Sequence, residues 1–259
     1  MKKKTKHIEN KGITGNGTDY TYYSLNFSDK LIAITAGFLI GFVASAIYFN
    51  VAVLNFIVAF ICSYKSIPIY QNMLQKKRTK ELRLQFRDLL ESLSNSYTVG
   101  MTANRAFHSA YDDMRVEHGE NAYITKEIAL ICNARDTRGF EIKDCLKDFA
   151  ERSGIDDIKS FADVFDISSE LGGDIARVIR ETRDMIGEKI EIEMEIQTIV
   201  TGQKSQLDIL AVMPFLMVLL TKSFNAGGES TMTIVVKVIA LVMFIFAYWL
   251  GLKIINIKV

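Results

Sequence analysis

The chain has 259 residues, of which 49% are hydrophobic and 24% charged, with a net charge of +1. That balance excludes a protein drawn to nucleic acid by a global positive field. The three cysteines, Cys62, Cys132 and Cys145, form no CxxC pair and have no histidine at ligand spacing, so they read as small buried hydrophobes rather than a metal or redox framework.

The totals hide a segregation. Residues 31–64 and 238–252 contain no Asp, Glu, Lys or Arg, whereas 76–198 hold most of the charge. A charge at a bilayer centre costs about 2.5–3.5 kcal/mol on insertion scales, so this is the pattern of a chain divided between membrane and water. In chain order, residues 1–24 are polar and include Gly12, Gly15 and Gly17. Residues 1–30 are expected to be a disordered cytoplasmic tail. The basic run after Met1 does not read as a signal peptide, because the apolar stretch lies too far from it.

Residues 31–67 predict a transmembrane hairpin. A single span needs roughly 20 residues, so the uncharged run is too long for one helix and just long enough for two. The reading places one helix near 31–48, a turn around Asn50, and a return helix near 52–67 that ends before Pro68. One long tilted helix remains the alternative. Gly37, Gly41, Ala44 and Ser45 are small enough for close helix packing. Residues 207–255 predict a second hairpin, with Asn225, Gly227 and Gly228 in its turn and Trp249 and Tyr248 toward one interface. Pro214 reads as a packing kink inside a span, and Asp208 as an interfacial partner of Lys204 one turn earlier. Lys and Arg cluster before the first span, after the second and past the last, while Lys222 and Lys237 alone flank the other side. Both termini and the middle of the chain are therefore expected in the cytoplasm, and the protein in the cell membrane.

Residues 76–205 carry 20 Lys or Arg and 25 Asp or Glu, and no proline occurs between Pro68 and Pro214. Apolar stripes at helical spacing run through Leu82, Phe86, Leu89, Leu90, Leu93 and Tyr97, through Ile142, Cys145, Leu146, Phe149 and Ala150, and through Ile158, Phe161, Ala162, Phe165 and Ile167. Glycines between the stripes predict helix ends. Three of them open the same short pattern: Gly100, Gly139 and Gly172 are each followed by an apolar residue at +3 and by apolar residues at +6 and +7. Such joints predict helical hairpins packed side by side. The alternating stretch 189–196 (KIEIEMEI) has a strand period, yet Lys189 and Glu193 at i,i+4 and the lack of a turn residue favour one long helix. The expected class is all-α, an integral membrane protein with about four transmembrane helices around a helical bundle.

These features resemble the type II secretion system F-domain family, and within it the Tad pilus platform proteins. The resemblance lies in residues 85–107, 136–154 and above all 165–186, where Glu170, Leu171, Gly172 and Gly173 precede an amphipathic helix, and in 208–220. The chain departs from the family in lacking a proline early in the first cytoplasmic helix and in having one such domain where some branches have two. The resemblance implies a cytoplasmic F domain and an oligomeric inner-membrane platform. Its implied partners are membrane lipids, a hexameric secretion ATPase, a second platform protein and pilin-like subunits. Arg177, Arg180, Glu181, Arg183 and Asp184 are candidate partner-binding residues on a charged helix face.

No catalytic, cofactor or metal constellation stands out. The sequence has no GxxxxGK[ST] loop and no HExxH, and His7, His108 and His118 are isolated along it. Two other readings stay open: a membrane-anchored helical scaffold or sensor, and a small transporter.

Overall fold

The computed structural model describes residues 12, 13, 15, 17–48, 52–171, 174–224, 239, 240, 242–244, 246–251 and 253. Among them the ordered elements are all helical: α1 (Phe27–Tyr48), α2 (Ala52–Thr98), α3 (Ala103–His118), α4 (Tyr123–Arg138), α5 (Ile142–Ser153), α6 (Asp156–Leu171) and α7 (Ile175–Phe224). A further helical stretch covers Val242–Gly251. The turns expected around Asn50 and at Asn225, Gly227 and Gly228 lie outside the described residues, as do Gly172, Gly173 and Lys237.

Two compact units result. The first comprises the described residues up to Ser24 together with Gln71–Ile190; the second comprises Leu25–Tyr70 and the described residues from Glu191 onward. The helices α2 and α7 each contribute to both.

The first unit has an ordinary water-protein core. The apolar stripe of α2 is buried at Leu82, Phe86, Leu89, Leu90 and Leu93, each at most 1% exposed. Phe149, Phe86, Phe161, Phe165 and Phe107 form a chain of rings with successive centroids 6.3, 5.6, 5.7 and 6.4 Å apart. These are favourable tilted and edge contacts that add to area burial. Ile179, Ile186 and Ile190 supply the face of α7. Ile167, by contrast, is exposed, because it lies two residues past Phe165 and so on the opposite side of the helix.

Glycine ends the helices as expected. Gly139 takes the left-handed conformation (φ 69°, ψ 15°) after α4, its N–H donates to the carbonyl of Arg135, and the N–H of Phe140 donates to that of Ala134. Any side chain there would be strained, although nothing stands where its Cβ would go. At the joints the +7 residues Phe107, Leu146 and Ile179 reach the core at 1%, 0% and 0% exposure.

The second unit packs on the opposite principle. Its α1 meets α2 along small residues: Ala33, Gly37, Gly41 and Ser45 are buried, as are Asn55, Ala59 and Ser63. A Cβ on Gly41 would stand 2.8 Å from that of Cys62, closer than real contacts allow, and a tight 3.0 Å from the Cα of Ala59. Ser45 donates to Asn55 Oδ1 at 2.7 Å and Ser63 to the carbonyl of Ile34 at 3.2 Å. The large apolar side chains point outward, with Leu39, Ile40 and Phe60 62%, 71% and 75% exposed. Small residues inside and large apolar ones outside is how helices pair in lipid. Three helices, Phe27–Ile47, Val53–Thr98 and Ile175–Leu220, are long and apolar enough to cross a membrane.

Four expectations are corrected. The return helix does not end before Pro68, for α2 runs through it to Thr98. Pro68 and Tyr64 are exposed, so the carbonyl the proline frees is open to outside partners, and the helix continues at a tolerable cost. The described part of the tail 1–30 is ordered: residues 17–24 belong to the first unit, and Phe27–Lys30 open α1. Asp208 accepts its hydrogen bond from the Tyr248 hydroxyl at 3.2 Å rather than from Lys204. Together with the place of Gly251, whose Cβ would stand 3.0 Å from Leu207, this brings Val242–Gly251 alongside the apolar part of α7. Finally, Lys189 reaches Asp157 at 2.9 Å instead of Glu193, although 189–196 is helical as expected.

Candidate interaction surface at the glycine joints

Each glycine joint of the first unit delivers the first turn of a new helix. Ala103 opens α3 after Gly100, Ile142 opens α5 after Gly139, and Ile175 opens α7 three residues beyond Gly172. These three +3 residues line one surface cleft of about 250 Å³, together with Phe165 of α6 and with Arg135, Glu141 and Lys143 at its charged edge. The local rule read along the chain, glycine and then an apolar residue at +3, thus has a spatial meaning. The +7 residue anchors each helix in the core, while the +3 residue reaches the cleft wall.

The edge is charged and paired. Lys143 Nζ lies 2.8 Å from Glu170, 3.5 Å from Glu141 and 3.6 Å from Asp166, and Lys147 lies 2.5 Å from Asp166. The hydrogen bond from Lys147 is the main reason the Asp166 carboxyl sits below its ordinary range, and the hydrogen bond to Glu170 is the main one raising the Lys143 ammonium. Arg135 donates to the carbonyl of Phe140 at 3.3 Å, which ties the Gly139 turn to α4. Neither Thr102 nor Glu141, the residues preceding α3 and α5, caps its helix with a side-chain hydrogen bond. Their first-turn amides therefore keep donors that an acidic partner could use.

The remaining candidate residues lie apart from this cleft. Glu170 joins it through Lys143, and Leu171 ends α6. Arg177 and Glu181 pair with each other at 2.7 Å on an exposed face of α7, and Arg183 pairs with Asp184 at 2.7 Å. Arg180 reaches Thr98 at 3.5 Å. The charged face of α7 is thus largely self-paired, whereas the cleft offers apolar surface with a charged margin.

Two arrangements have no counterpart in the sequence reading. The first is a buried lock. Arg152 (3% exposed) meets Glu127 (1%) in a bidentate pair at 2.7 and 3.0 Å and also reaches Asp148 at 2.8 Å. The chain before α1 closes over this pair: Tyr20 donates its hydroxyl to Glu127 at 2.9 Å, its N–H donates to the carbonyl of Arg152, and Arg152 donates to the carbonyl of Thr18 at 3.1 Å. Burial first, and then the Glu127 charge, push the Tyr20 hydroxyl far above its ordinary range. The Arg78 guanidinium stacks 4.4 Å over the Tyr20 ring. A Cβ on Gly17 would stand 2.5 Å from the Arg152 guanidinium, so any larger residue there would displace that group from its pair. The available signal was Glu127 itself, a charge amid the apolar positions Ile124, Ile128 and Ile131. The second arrangement brings His118, which is isolated in the sequence, to 3.2 Å from Asp88.

No protein-family model, no curated protein and no solved structure matches the chain.

Proposed function

We propose that this protein is a non-enzymatic membrane platform. In this reading the helical unit docks a cytoplasmic secretion ATPase at the glycine-joint cleft and passes its motion to the membrane helices, driving pilin assembly or protein export. The observation that carries the reading is the convergence of Ala103, Ile142 and Ile175 on one cleft. It is joined by the resemblance of residues 85–107, 136–154 and 165–186 to the F-domain family. The distribution of Lys and Arg around the apolar segments supports a cytoplasmic position for the docking unit. Continuous helices of 47 and 50 residues, α2 and α7, give the motor stiff elements to act through.

The test is co-purification of the full chain in detergent with a secretion ATPase of the same cell. Ala103→Glu fills the cleft at a half-buried first-turn position where an acidic residue is tolerated by the helix. The reading predicts loss of ATPase binding and of pilus assembly in that variant, with its melting temperature retained. Wild-type chain that fails to bind the ATPase, or binding unchanged in both Ala103→Glu and Ile175→Glu, would remove the motor link.

A further inference from the structure

Asp88 on α2 and Glu117 and His118 in the last turn of α3 meet at the surface of the first unit. One ligand-capable atom of each lies within 4.8 Å of the others. Asp88 Oδ1 is taken by Arg87, whose nitrogens stand 2.7 and 3.0 Å away. Its other oxygen, Oδ2, lies 3.2 Å from His118 Nε2. Yet Nε2 is buried and makes no hydrogen bond, because the two groups are not aligned for one.

A cation between Nε2 and Oδ2 would satisfy both atoms. A proton serves only near the line joining them, whereas a metal ion sits off that line. Two ligands at about 2.0–2.1 Å from a tetrahedral ion are about 3.3 Å apart, close to the spacing observed. The site also lies at the C-terminal end of α3, where the helix dipole favours a cation. Imidazole with two carboxylates selects a borderline ion of the zinc class over calcium or magnesium.

We propose that Asp88, Glu117 and His118 bind a divalent cation of the zinc class, with three protein ligands and the fourth position open to water. Asp88 and His118 are partly buried and Glu117 is exposed, so the ion enters from the solvent side. Bound there, it pins the end of α3 to the middle of α2.

The test uses the full chain in detergent, freed of any affinity tag, titrated with Zn²⁺ by calorimetry and with Co²⁺ by visible absorption. The expected result is one equivalent of saturable binding with the absorption bands of tetrahedral Co²⁺. His118→Ala and Asp88→Asn should each weaken it at least about tenfold. Glu117→Gln, at an exposed position that leaves the fold intact, should weaken it as well. His108→Ala should leave it unchanged, since His108 meets Asp136 alone at 3.0 Å. Circular dichroism checks each variant, and if His118→Ala unfolds the unit then Glu117→Gln decides. Absence of saturable binding, or binding that survives Glu117→Gln and His118→Ala (an adventitious ion only), overturns the proposal.

Discussion

The two units bury opposite things. In the first, Phe86, Phe149 and Phe161 are inside and most charge is outside, Asp19 and the mutually neutralising Arg152 and Glu127 being buried. In the second, Gly37, Gly41 and Ser45 are inside and Phe60, Ile40 and Leu39 are outside. The difference teaches which force holds each. Water drives large apolar side chains together in the first unit. In the second, close approach of backbones and a few hydrogen bonds join α1 to α2, the mode of packing that suits helices whose surroundings are as apolar as their own side chains. An exposed phenylalanine therefore means something different in each.

The sharpest way to break this comparison is at the buried lock. Arg152→Leu removes the cation that faces Glu127 at 1% exposure, and should cost about 3–5 kcal/mol in chemical denaturation followed by circular dichroism. Adding Glu127→Met should restore most of that loss. A single-variant cost below about 1 kcal/mol would mean that the pair is solvated.

Next comes a matched pair of truncations. Phe86→Ala should destabilise the first unit by about 3–5 kcal/mol through a cavity. Phe60→Ala, 75% exposed in the second unit, should stay within about 0.5 kcal/mol in the same measurement. Between these two lies Gly41→Leu, whose side chain has no room against Cys62 and Ala59. Overpacking of about 1–3 kcal/mol is expected, read as faster proteolysis between α1 and α2 in bicelles, with melting of the first unit unchanged.

The smallest effect is on pH dependence. Burial pushes the Cys132 thiol up to about 12 and the Cys145 thiol up to about 11, against an ordinary 9.0. Both are raised in the folded state, so their contribution is complete below pH 9 and is lost as pH rises through the folded values. Iodoacetamide at pH 8 should leave Cys132 and Cys145 unmodified until denaturant is added; rapid modification of the native chain would contradict the burial.

How far the sequence could be read follows from this contrast. The apolar stripes of α2, α5 and α6 were legible because helical spacing and a water-driven core dictate each other, and the joints at Gly100 and Gly139 because a left-handed helix end selects glycine. The small-residue face of α1 was legible for the converse reason. What local pattern could not supply was pairing across long separations. Tyr20 and Glu127, or Asp88 and His118, come together only once α2, α3, α4 and α5 are packed. Polar composition suggested disorder for the segment around Tyr20, but one buried hydroxyl and two hydrogen bonds between its backbone and Arg152 outweigh that composition. Pro68 misled because a helix with an exposed proline can continue when both its ends are held by packing.

The expectation is that exposed apolar surface faces water in one unit and lipid in the other. It is tested by two single cysteines placed in a cysteine-free background, Val116→Cys in the first unit and Phe60→Cys in the second, at positions 88% and 75% exposed. Membranes opened to both faces are treated with a charged maleimide. The account predicts rapid labelling at position 116, and labelling at position 60 only after sodium dodecyl sulfate is added; equal labelling of both in the intact membrane would contradict it.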